Sequence, residues 1–171
     1  MEEKFRCEVR HSEALYKELY SYMFFKRPIY VIIYILLGLC LLDWVLLLTV
    51  LGETNYLLIL VIVAFFVLEY YLYSSSVKNA VKRGKEMYGG FAQDEVVIYD
   101  DKLTLTGTKG VTVELPLNKV KKIYVLKNLI VLMSDAKLMY IMTKNGFTLG
   151  TSDEFLDFLR VKGIYKKRKK A

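Results

Sequence analysis

Two apolar runs separated by four residues restrict this chain more than anything else in it. Ile29–Leu51 is 23 residues long and contains one charge, Asp43; Tyr56–Tyr73 is 18 residues long, and Leu57–Leu68 within it is unbroken. At ~1.5 Å per residue they cover about 35 Å and about 27 Å, against a bilayer hydrocarbon core of ~30 Å. A surface helix of a globular domain keeps a polar stripe; neither run has one, so both need apolar surroundings on every side. Gly52-Glu53-Thr54-Asn55 supplies turn formers, and so short a connector joins antiparallel neighbours. The runs are predicted to form a transmembrane helical hairpin, 29–51 and 56–73.

Lys and Arg mark the side on which flanking segments stay. Lys17, Lys26 and Arg27 precede the hairpin, Lys78, Lys82, Arg83 and Lys85 follow it, and the connecting loop has none. Both termini are therefore expected on the cytoplasmic side of a cell membrane, in a multi-pass protein. Tyr30, Tyr34, Tyr56, Tyr70, Tyr71 and Tyr73 lie near the ends of the runs, where amphipathic rings favour the headgroup level. A cleaved signal peptide fits poorly. The first 28 residues carry acids, the apolar run is too long, and no small-residue cleavage site follows it.

Asp43 is the costly residue of the hairpin, at roughly 2.5–3.5 kcal/mol near mid-bilayer. The sixteen Leu, Ile and Val around it contribute about −0.3 to −0.6 kcal/mol each and outweigh it. It is either a tolerated polar residue or a contact with a partner or a second copy. Glu69 lies about 15 Å from Asp43 in depth and is expected to snorkel to the inner interface.

The flanks read differently. Phe5, Cys7 and Val9 alternate with charges as in a strand, and Ser12 is placed to cap a helix over 13–26, with Pro28 opening the next. Residues 74–90 read as a basic juxtamembrane helix closed by Gly89-Gly90. From Phe91 short β-segments follow at 96–99, 103–106, 111–115, 120–125, 129–133, 138–142 and 147–149, with Asn145-Gly146 as the strongest hairpin signal. Thr151 and Glu154 form a capping box for a last helix bearing Phe155, Leu156 and Leu159 and ended by Gly163. The expected fold class is an α+β membrane protein: a transmembrane hairpin plus a small antiparallel β domain, a pleckstrin-homology-like (PH-like) barrel, with a C-terminal helix. An SH3-like barrel or a plain α+β sandwich would leave a similar trace. The expected division is 1–28 strand and amphipathic helix, 29–73 hairpin, 74–90 basic helix, 91–165 β domain with its helix, and 166–171 basic tail.

This order of parts resembles the YcxB-like family of bacterial membrane proteins. The hairpin carries the resemblance together with "VVIYDDKLTLTG", "VELPLNKVKKIYVLKNLIVL" and "FTLGTSDEFLDFL". The last segment departs from the family pattern in lacking a proline and basic residues before the final helix. The resemblance implies the architecture and no functional residues.

No catalytic, cofactor or metal site emerges from the residues. His11 is the only histidine and has no Cys or acidic partner at ligand spacing; Asp100-Asp101 is ordinary turn chemistry; no phosphate-cradling glycine pattern occurs. Cys7 and Cys40 show no C-x-x-C spacing. Hydrophobic residues make up 54% of the chain and the net charge is +7. The cations sit beside the apolar runs, pointing to anionic lipid rather than nucleic acid. Candidate headgroup contacts are Lys78, Lys82, Arg83 and Lys85, and the tail Lys166, Lys167, Arg168, Lys169 and Lys170, with Lys119, Lys121 and Lys122 extending that face. The expected function is a non-enzymatic, membrane-anchored binding or scaffold protein that presents its β domain at the inner leaflet. Its partners are lipids of that leaflet and a protein or a further copy of itself, with no nucleic acid and no small-molecule substrate. The alternatives are an oligomeric transport or channel-type component using Asp43, and an enzyme acting on a lipid.

Overall fold

The computed structural model describes residues 2–25, 28–51 and 56–165. The chain divides into two compact units, Met1–Leu15 with Arg83–Ala171, and Tyr16–Lys82.

In the helical unit, α1 (Glu13–Phe25) is followed by α2 (Pro28–Leu51) and α3 (Tyr56–Tyr88). Ser12 Oγ accepts from the Leu15 amide at 3.2 Å, the cap its position predicts. The α2 helix opens on Pro28, where a missing N–H costs nothing. The α3 helix joins without a break the two parts read as 56–73 and 74–90, ending at Tyr88 just before the two glycines. At ~1.5 Å per residue it is about 50 Å long, more than a bilayer core needs. Both α2 and α3 are long and apolar enough to cross a membrane, and no residue of the apolar stretch of α2 is buried.

The β unit contains β1 (Phe5–Arg10), β2 (Gln93–Ile98), β3 (Lys102–Thr106), β4 (Thr112–Pro116), β5 (Val120–Val125), β6 (Leu129–Ser134), β7 (Met139–Thr143), β8 (Phe147–Leu149) and α4 (Ser152–Val161). The strands make two antiparallel sheets, β4-β3-β2-β1-β8 and β5-β6-β7. The α+β class with antiparallel sheets is as expected, and neither sheet closes into a barrel. Pro116 ends β4 and the 3₁₀ turn Leu117–Lys119 carries the chain into the second sheet. Proline has no amide to continue a ladder.

Two further expectations change. The N-terminal strand is not part of a separate segment: β1 lies inside the larger sheet, pairing with β2 (Cys7 opposite Val96) and with β8 (Arg6 opposite Leu149). Its inward residues Phe5, Cys7 and Val9 are buried. Asn145-Gly146 does not make a β7–β8 hairpin either. The 3₁₀ turn Lys144–Gly146 passes from one sheet to the other, β7 pairing with β6 and β8 with β1. Gly146 is required by proximity rather than by positive φ: a Cβ there would run into the Glu8 carbonyl oxygen and Thr143 Oγ1.

The core gathers Val96–Ile98, Leu103, Leu115, Leu129–Leu132, Tyr140 and Met142 with Phe155 and Leu159 of α4. The Phe155 ring lies 5.6 Å from that of Phe5 and 5.7 Å from that of Phe147, seating α4 on β1 and β8. The capping box is formed in both directions, Glu154 amide to Thr151 Oγ1 at 3.3 Å and Thr151 amide to Glu154 Oε2 at 2.9 Å. The helix ends as read: Gly163, with φ 73°, donates to Arg160 O, and Ile164 donates to Leu159 O.

Candidate functional site

Tyr34 and Trp44 are among the less exposed residues of α2, and Ile62 and Glu69 are buried in α3. Glu69 is only 6% exposed, and its Oε1 accepts a hydrogen bond from the Tyr34 hydroxyl at 2.7 Å. The Tyr34 ring stacks on Phe66, 6.1 Å away at 12°. The snorkelling expected for Glu69 is therefore corrected. Its place seven residues after Ile62 puts it between helices, where a hydroxyl donor replaces water. That seven-residue step was the available sequence signal. The Trp44 indole N–H is enclosed in the same unit without an acceptor among the described residues.

Asp43 behaves oppositely. It is exposed and makes no hydrogen bond or ion pair among the described residues. At ~100° per residue it points well away from the Tyr34–Trp44 side of α2. A carboxyl facing hydrocarbon from that position costs roughly 2.5–3.5 kcal/mol.

Farther along α3, Lys78, Lys82, Arg83 and Lys85 are all exposed. Lys78, Lys82 and Lys85 repeat at four and three residues and so form one stripe, while Arg83 lies off it, about 130° round the helix. The Lys85 ammonium sits 5.5 Å from the centre of the Phe91 ring. The tail cations Lys166, Lys167, Arg168, Lys169 and Lys170 lie outside the described residues. Lys121 and Lys122 are exposed on the edge strand β5 and Lys119 on the turn before it.

The β unit holds two polar clusters that sequence spacing concealed, because each joins residues some 60 to 100 positions apart. His11 Nε2 meets Asp94 Oδ2 at 2.8 Å, fastening the end of β1 to the start of β2. Asp100 takes Lys4 at 3.0 Å and Lys162 at 2.9 Å. Both ammonium groups also lie 5.5 Å from the centre of the Phe158 ring. The two lysines, Lys162 foremost, hold the Asp100 carboxyl below its ordinary value. So Asp100 ties the chain start, the β2–β3 turn and the end of α4 together.

An open groove of about 340 Å³ lies along the β1 end of this unit, lined by Glu8, Arg10, Thr143, Asn145, Phe147 and Thr148. Cys7 lies near it yet is fully buried, and burial pushes its thiol up to about 11. A protonated, enclosed thiol is a poor nucleophile. The described residues contain no group of three His, Cys, Asp or Glu able to hold a metal. Comparison of the chain with protein-family models, with curated proteins and with solved structures found no match.

Proposed function

We propose that this chain is a membrane-anchored binding or scaffold protein, in which α2 and the first half of α3 cross the bilayer as a hairpin and the β unit works at the cytoplasmic surface. One observation carries the reading. β1 precedes the hairpin, β2 follows it, and the two pair over six residues of one sheet. A chain that leaves this sheet and returns to it must come back on the side from which it left, so two apolar helices between the strands fit two crossings. The unburied apolar surface of α2 supports the same reading, since a core helix of a soluble protein is mostly covered. The cations flanking the hairpin select the cytoplasmic side. The stripe Lys78, Lys82 and Lys85 then faces anionic headgroups, each cation contributing about 1 kcal/mol. The likeness to the YcxB-like family belongs to this reading as well.

The test is topological. Single cysteines placed in 52–55 or after Gly163, in a Cys40→Ala background, are labelled from outside intact cells with a membrane-impermeant reagent. Labelling of the 52–55 position alone is the expected result. Labelling of the position after Gly163 overturns the orientation, and equal labelling of both overturns the double crossing.

A further inference from the structure

The outer face of α2 has its own order. Ile32, Leu36, Leu39, Asp43, Leu46 and Val50 follow one another at steps of four, three, four, three and four. This is the spacing at which one helix packs along another in a heptad seam. These residues point away from the Tyr34–Trp44 side and are all exposed, so the chain carries a second seam that its own helices leave uncovered. Five positions are Leu, Ile or Val, and the sixth is the unpartnered carboxyl.

Lipid tails complement the five and not the sixth. No Lys or Arg occurs in α2, or in α3 before Lys78, so the hairpin offers no counter-charge. A second copy does offer a partner. Two copies in one membrane share an orientation, and a two-fold axis along the membrane normal sets each residue on the shared face against itself at equal depth. Asp43 then meets its own counterpart, and one protonated carboxyl donates to the other. A single polar residue in an apolar seam also fixes register, because any slip leaves both carboxyls unpaired.

We propose that a second copy of this chain covers the outer face of α2, the two α2 helices lying parallel with the Asp43 side chains paired on the axis. This rests on the membrane-spanning reading above.

The experiment is oxidative cross-linking in native membranes, in a Cys40→Ala background. Leu36→Cys, Leu39→Cys and Leu46→Cys probe the seam, where exposure is 56%, 58% and 52%; Val31→Cys and Val45→Cys, each at 48%, probe surface of similar openness off it. The expected result is covalent dimer from the first three only. By sedimentation in detergent, Asp43→Ala weakens association about ten-fold, equivalent to about 1.4 kcal/mol, and Asp43→Asn, which both donates and accepts, restores it. No dimer, or equal dimer at Val45, from protein that stays with the membrane after carbonate washing overturns the proposal and leaves the membrane reading standing. Release by carbonate overturns both.

Discussion

The helical unit and the β unit are built by opposite means. In the β unit, side chains from distant parts of the chain enclose one another: Phe5, Ile98, Leu103, Leu132 and Phe155 are all buried. In the helical unit most large apolar side chains of α2 and α3 remain exposed, and the two helices share a narrow seam. The first unit is held by burial within itself, at roughly 1.5–3 kcal/mol per enclosed large side chain. The second leaves that surface unburied within itself; in the membrane-spanning reading a bilayer covers it, and there hydrogen bonds and fit choose the neighbours. Substitutions therefore ought to separate the units.

The largest effect is expected from removing residues 2–10. That deletes three buried side chains and unpairs two strands, a loss comparable to the ~5–15 kcal/mol that holds a whole domain together. Residues 91–165 alone are expected to stay unfolded for the same reason, and to fold when β1 is supplied. Circular dichroism and proteolysis decide it: a stable sheet without β1 would contradict the pairing with β2 and β8. Next comes Gly146→Ala, which forces a methyl group against the Glu8 backbone at about 1–3 kcal/mol. Its signature is a melting temperature lowered by several degrees for the β unit, with membrane extraction behaviour unchanged. The smallest is Tyr34→Phe, which removes the donor to Glu69. Hydrogen bonds between membrane helices average ~0.6 kcal/mol, so detergent-driven unfolding should shift slightly while the β unit melts as before. A Glu69→Gln partner in a double-mutant cycle isolates the pair; a coupling of zero would mean that the seam holds by packing alone.

The same contrast explains what could be read from residues alone. Helices α2 and α3 announce themselves because each apolar run carries its own signal, with no partner needed. The Thr151–Glu154 cap, the stop at Gly163 and the positions of most strands are likewise local. What escaped was pairing. Nothing within "FRCEVR" says that β2 and β8 flank it, since those partners begin 83 and 137 residues after its last residue. Asn145-Gly146 carries ordinary hairpin chemistry, and the pairing of β8 with β1 overrides it. Position along the hairpin says little about Glu69, whose surroundings are set by its face of the helix. The clusters around Asp94 and Asp100 were illegible for the reason that hid β1: their members meet only once the sheet exists. Lys78, Lys82 and Lys85 need no partner to share a face, because steps of four and three along one helix bring them together.

The interior position of β1 also orders events in time. During synthesis this strand is finished first, and its last partner, β8, follows about 140 residues later. At ~5–20 residues per second the wait is on the order of ten seconds. Both apolar helices leave the ribosome within that interval. The sheet therefore closes only on a chain whose two ends have been brought back together. Until β8 arrives, β1 keeps one edge unpaired, and an open edge of that kind is where another strand can pair.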